Sequence, residues 1–176
     1  MSEKSVEMDS ITNLKQLKLR VLPDQVLRKV STDIEAFDKR LQAFAKKMLS
    51  FMRKAGGIGL AAPQVGVLQR IVVVGVHDHD VEMVLVNPSI MPITADSDTK
   101  MEGCLSIPNE TYNVTRLFRI EVRARDAEGK KQHFVAHDLL ARVIQHEVDH
   151  LNGVLICDKE VGKVGKLERS IGNANI

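Results

Sequence analysis

No apolar run in the chain approaches the roughly 20 residues that a membrane-crossing helix needs, so no segment reads as transmembrane. Cysteine is scarce, with only Cys104 and Cys157 present. Two thiols are too few for a disulfide framework, and a reducing compartment leaves them unbridged. Charge of one sign is scarce as well. A formal net charge of +2 over 176 residues gives no reason to expect nucleic acid or an anionic membrane as the main partner, and no direct nucleic-acid specificity is expected. No 20–50-residue repeat and no low-complexity tract is present. The first residues, MSEKSVEMDSITN, carry Glu3, Glu7 and Asp9 and lack the apolar stretch of a signal peptide, so the expected location is the cytoplasm. With 44% apolar and 27% charged positions, the chain suits a single domain over 1–176, with about 1–15 and 160–176 peripheral.

Apolar residues at Phe37, Leu41, Phe44, Met48 and Phe51 repeat at helical spacing and predict an amphipathic helix over 33–55. Ser31, Thr32 and Asp33 are its cap candidates, and Gly56 ends it. GGIGLAAPQVG, from Gly56 to Gly66, is too glycine-rich for a helix and too apolar for an exposed linker, so it predicts a buried loop or irregular strand in close approach to another group. RIVVVGV and MVLVNP are β-branched runs and predict strands; RIEVRARD, the DAEG turn and QHFVA predict a hairpin. Asp138 is placed to cap a helix from Leu139 to about Asn152, with Gly153 at its C-terminal end. Two helices among short strands predict an α+β fold with mostly antiparallel sheets.

The last helix carries the chemistry. It contains QHEVDH, an H-E-x-x-H pattern in which His146 and His150 lie one turn apart on one face. Apolar residues surround them, so the imidazoles are expected to be buried, and a bound cation is one way to satisfy buried imidazoles. Core histidines bonded to carbonyls are the alternative. A metal needs a third ligand, and Cys104, Cys157, His77, His79, His133 and His137 are the candidates. The metzincin pattern fails, because Ile156 stands where its third histidine belongs. His77 and His79 sit in a charged HDHD stretch, His133 in the hairpin, His137 before the helix, and Cys157 behind an apolar run as a small core residue. Cys104 stands in EGCLSIP, unusual company for a core thiol.

Three segments, GIGLAAPQ (Gly57 to Gln64), EGCLS (Glu102 to Ser106) and QHEVDH (Gln145 to His150), resemble in order and spacing the three motifs of the bacterial peptide deformylases, and the likeness extends along most of the chain. The resemblance implies sheets arranged around a central metal-binding helix. It implies a metal held by Cys104, His146 and His150, native Fe²⁺ replaceable by Zn²⁺, Ni²⁺ or Co²⁺, and Glu147 as general acid and base. Gln64 and the Leu105 N–H would face the reacting carbonyl. Ile58, Gly59, Gly103, Leu139 and Val143 would bind the substrate, with Ile58, Leu139 and Val143 walling the methionine pocket. The implied activity is hydrolytic removal of the formyl group from N-formylmethionyl nascent peptides, with transient ribosome contact. A broader metal-dependent amidase is the competing reading. Asp138 departs from the glycine many members carry before LLAR, which predicts a changed cap. NETYNVTR lacks an arginine directly after EGCLSIP. Glu102, with Arg116 or Asp149, is expected to orient a ligating histidine or the EGCLS loop.

Overall fold

The computed structural model describes residues 16–76 and 81–166. Two α-helices and eight strands form two antiparallel sheets. The larger sheet runs β1 (Gly59–Ala61), β2 (Ile71–Val76), β3 (Val81–Pro92), β6 (Arg119–Arg125), β7 (Lys131–His137) in spatial order. The smaller one runs β4 (Ser97–Cys104), β5 (Ile107–Leu117), β8 (Glu160–Lys166). Helix α1 is Lys39–Lys54 and α2 is Asp138–Leu151. Helix α2 touches strands of both sheets. No helix among the described residues is long and apolar enough to cross a membrane.

The all-apolar strand β2 has a simple cause: both of its faces are covered. Ile71 and Val73 pack with Leu41, Phe44, Met48 and Met52 of α1. Val72, Val74 and Val76 point the other way, toward Val143, Ile144 and Val148 of α2. Alternation along a strand sends neighbours to opposite faces, so a strand between two helices reads as a continuous hydrophobic run.

Several expectations need correction. Helix α1 starts at Lys39, not near 33, and its cap is Asp38, whose carboxylate accepts from the Arg40 and Leu41 N–H groups at 2.9 and 3.0 Å. Residues before it are held off the helix by Asn87, whose side chain both accepts from the Ile34 N–H and donates to its carbonyl, each at 2.9 Å. Phe37 therefore leaves the helical stripe and lies under the Arg125 guanidinium. Asp138 does not cap α2; it is the first helical residue, with φ +50°, and His137 holds the cap position without a side-chain bond. The Asp138 carboxylate instead accepts from Lys100 Nζ at 3.0 Å. Glu160–Lys166 forms β8, which pairs with β5 at the edge of the smaller sheet. Residues 1–15 and 167–176 lie outside the described residues.

Gly153 does end α2 as expected, at φ +72°. A Cβ there would lie 2.5 Å from the Arg28 carbonyl oxygen, whereas one at Gly56 (φ +73°) would meet nothing within 4 Å. Gly56→Ala should therefore cost only the left-handed backbone penalty, about 1 kcal/mol, and Gly153→Ala clearly more. Urea unfolding of both variants checks this; equal losses would contradict it.

Candidate metal centre

Cys104 and the two histidines arrive from different elements. Strand β4 carries Cys104 at its end, where a register shift between Gly103 and Cys104 turns the chain through Leu105 and Ser106 into β5. Helix α2 carries His146 and His150, and from Ala141 to Val148 it is wholly buried. Their rings lie 5.0 Å apart, centroid to centroid, edge to face. One ligand atom from each of Cys104, His146 and His150 lies within 4.8 Å of the others, and all three residues are buried. Cys104 Sγ is 3.3 Å from His150 Nε2.

The remaining third-ligand candidates fall elsewhere. His133 is exposed and its Nε2 lies 2.7 Å from Glu121. His137 is exposed at the start of α2. Cys157 is not a core residue; it is half-exposed beside the Arg28 guanidinium at 3.7 Å. His77 and His79 lie outside the described residues.

Electrostatics around the cluster follow from burial. The Cys104 thiol is pushed up to about 12, chiefly by burial and also by the nearby Glu147 charge, against N–H bonds from Ser106 and Ile107. Burial also lifts the Glu147 carboxyl well above its ordinary range and lowers His150 well below its own. All three groups are thus driven toward their neutral forms. Among the described residues, His146 Nε2, His150 Nδ1 and both Glu147 oxygens are buried without a hydrogen-bond partner. Such atoms are costly. A thiol and two imidazoles with ligand atoms within 4.8 Å, and a His146 Nε2 that lacks a partner, fit a divalent cation, which would satisfy that nitrogen and favour the thiolate.

Glu102 behaves differently. Burial opposes its charge, but hydrogen bonds from His146 and Arg116, with the Arg116 charge, outweigh it and hold the carboxyl down at about 2. Arg116 grips both oxygens, Nε to Oε1 and a terminal nitrogen to Oε2, each at 3.0 Å. Its other terminal nitrogen pairs with Asp149. His146 Nδ1 lies 3.0 Å from Glu102 Oε2. An ionised carboxylate only accepts, so Nδ1 carries the proton and Nε2 keeps the lone pair a metal needs. Glu102 is thus bonded to His146 and held by Arg116, which Asp149 holds in turn, the contacts that its expected orienting role requires.

Gln64 is fully buried in a single 3₁₀ turn, Ala62–Val65. Its Oε1 accepts from the Ala61 N–H at 2.8 Å, which leaves Nε2 facing Ser106 Oγ at 3.2 Å and Cys104 Sγ at 3.8 Å. The close approach expected of the glycine loop is real, and it is an approach within the chain itself. A Cβ on Gly59 would overlap Oε1 of Glu147 and lie 2.9 Å from Val143 Cγ1; one on Gly57 would lie 2.8 Å from Leu105 Cδ1. Val143 is fully buried, while Ile58 and Leu139 are half-buried and pack against the same cluster. The residue that sequence reasoning missed is Arg142, which also reaches Glu102. A cation inside the apolar run LLARVIQ was the available signal.

An α+β scaffold that buries a Cys-His-His donor set beside a glutamate without a hydrogen-bond partner among the described residues is the arrangement of a metal-dependent hydrolase. Residues 16–165 match the sequence profile of the polypeptide deformylase family. A peptide deformylase of Caldicellulosiruptor bescii is 44% identical over 151 residues, covering 86% of this chain and 89% of that one. The crystal structure of a peptide deformylase from Thermotoga maritima has a TM-score of 0.80 at 37% identity, over 84% of this chain and 99% of that one. That of Synechococcus elongatus, in complex with actinonin, has a TM-score of 0.79 at 42% identity, over 84% and 82%. The chain belongs to the polypeptide deformylase family, metal-dependent hydrolases that remove the N-formyl group from nascent peptides.

A pH consequence follows from Glu102. Its carboxyl is held below the ordinary value of 4.5, so the stability it contributes is complete above pH 4.5 and is lost as pH falls through about 2. Between pH 5 and pH 3 the metal-free protein should lose about 2 kcal/mol from this group alone. Urea unfolding of wild type and Glu102→Gln at the two pH values measures it. A pH dependence as steep in the variant as in wild type would contradict the assignment.

Proposed function

We propose that Cys104, His146 and His150 hold the metal, that Glu147 is the general acid and base, and that Gln64 and the Leu105 N–H meet the developing oxyanion. The observation that carries this is the convergence of the three ligand atoms within 4.8 Å, beside a buried carboxylate with no hydrogen-bond partner among the described residues. Three protein ligands would leave a bound ion with a position open to water or substrate, the form of a catalytic site. A divalent ion there supplies Lewis acidity, polarising a carbonyl oxygen and bringing the pKa of water toward neutrality. Glu147 takes the proton of the attacking water and returns it to the departing amine, a role its burial-raised carboxyl suits. The Gln64 amide donates from Nε2, held in that orientation by the Ala61 N–H on its Oε1. Loss of one such donor typically costs roughly 10²–10³ in rate.

We assign Fe²⁺ as the native metal, following the family resemblance; the thiolate and imidazoles also accept Zn²⁺, Ni²⁺ or Co²⁺. Ile58, Gly59, Gly103, Leu139 and Val143 are assigned to substrate binding. Support for Ile58 and Leu139 as pocket walls is their half-buried apolar side chains packed against the cluster that holds Val143. We propose that the enzyme acts in the cytoplasm on nascent chains, in transient contact with the ribosome. Helix α1 supports a transient, sequence-independent contact there: it carries six basic residues, among them Lys39, Arg40, Lys46 and Lys54, and no acidic one. Cations so arranged attract phosphate backbone.

Substrate discrimination tests the reading. A formyl carbon bears only hydrogen, whereas an acetyl carbon adds a methyl to a site enclosed by β1 and the metal ligands, and misplacement of about 1 Å can cost roughly 10² in rate. Under anaerobic conditions with Fe²⁺, kcat/KM should be high for formyl-Met peptides, low for formyl-Asp peptides and smallest for acetyl-Met peptides. Glu147→Gln should keep its metal and lose roughly 10²–10⁴ in turnover on the first. Comparable rates on formyl-Met and acetyl-Met would favour the broader amidase, and near wild-type turnover in the variant would remove Glu147 from proton transfer.

A further inference from the structure

Arg142 stands four residues before His146 on α2 and is 3% exposed. One terminal nitrogen donates to Glu102 Oε1 at 2.7 Å and to the Val114 carbonyl at 2.9 Å. The other donates to the Asp98 carbonyl at 3.0 Å and to its carboxylate at 2.6 Å. Asp98 and Glu102 lie on β4, and Val114 lies on β5. Beyond Asp98 the charges continue outward through Lys100 to Asp138 at the start of α2.

The donor set is split between two elements, with the thiol on β4 and both imidazoles on α2. Their relative position depends on what ties helix to sheet. Arg142 bonds both β4 and β5 from the helix itself, one turn from His146. Glu102 is thereby fixed to α2 at two points, Oε1 by Arg142 and Oε2 by His146 Nδ1. Arg116 binds the same carboxylate from β5 and so orients it relative to the sheet. Arg116 also reaches α2, through Asp149, and Gln145 of α2 bonds the Leu117 backbone on β5, but apart from His146 it is Arg142 that bonds the Glu102 carboxylate directly from the helix. The planar fork suits four acceptors at once, which a lysine ammonium with three donors on a flexible stem cannot reproduce.

We propose that Arg142 is a positioning residue for the metal centre, locking α2 onto β4 and β5 so that the His146 and His150 donors face the Cys104 thiolate in a fixed geometry. Packing alone does not account for it. A buried ion pair replaced by apolar side chains is often neutral or stabilising, so a residue present only for stability gains nothing from being an arginine here. The inference rests on Cys104, His146 and His150 as the metal ligands.

The test uses the Co²⁺-loaded enzyme, with the thiolate-to-Co²⁺ absorption band and the rate of Co²⁺ release to excess chelator as readouts, alongside thermal unfolding of the metal-free protein. Arg142→Leu should release Co²⁺ roughly 10–100-fold faster and shift the band, out of proportion to any change in melting temperature. Arg142→Lys should recover part of the loss. In a Glu102→Gln background, adding Arg142→Leu should accelerate release by less than it does alone, because the two act through one contact. Asp98→Asn, at a half-buried position, should move both readouts in the same direction by less, and it decides the matter if Arg142→Leu does not fold. Wild-type band and release rate in Arg142→Leu, or in Asp98→Asn where that variant stands in, would overturn the proposal, as would full additivity with Glu102→Gln. Failure of the ligand assignment looks different, since wild type itself would then lack the thiolate band.

Discussion

A charged carboxylate sits at the centre of this molecule with almost none of its surface exposed. Removing an ion from water costs several kcal/mol even after relaxation, so Glu102 stays ionised only because Arg116, Arg142 and His146 all donate to it. Those bonds also fix the His146 tautomer, attach α2 to the smaller sheet and bring the imidazoles opposite the end of β4. Removing one partner strands the others, which makes the network unforgiving and the geometry it sets sharp. Of the three donors, Arg116 and Arg142 stand behind the Cys104, His146 and His150 cluster, and His146 belongs to it.

The opposite side of the site is built by the absence of side chains. Gly59 has no Cβ, so β1 lies directly against Glu147 and Val143. Covering a carboxylate with backbone and valine keeps water from it and raises its proton affinity, while the carboxylate on the far side of His146 is held ionised. Two glutamates within one small volume are thereby pushed apart in acidity by their surroundings alone, a pattern suited to giving one a structural and the other a proton-transfer role.

Much of this was legible in the sequence where a local rule decides the outcome. The hairpin of β6 and β7 announced itself by alternation and the DAEG turn, and the H-E-x-x-H helix by its spacing. Cys104 was separable from Cys157 by its neighbours, and Glu102 with Arg116 by the need of buried metal ligands for groups that orient them. What stayed hidden was decided by distant contacts. Phe37 fits the α1 stripe in sequence, yet Asn87, fifty-three positions away from Ile34, holds that segment extended. Asp138 looks like a helix cap until Lys100 is brought beside it by β4. Arg142 was overlooked because the run around it reads as apolar helix, and only the fold shows that four acceptors converge on it.

If Cys104, His146 and His150 hold the metal, its shell contains one sulfur and two imidazoles, with the sulfur from Cys104. X-ray absorption at the metal edge of the anaerobically Fe²⁺-reconstituted enzyme addresses it without relying on turnover. The spectrum should show one sulfur scatterer and two imidazole nitrogens about the ion, the sulfur disappearing in Cys104→Ser and persisting in Cys157→Ser. A shell without sulfur, or a sulfur that survives Cys104→Ser, would contradict it.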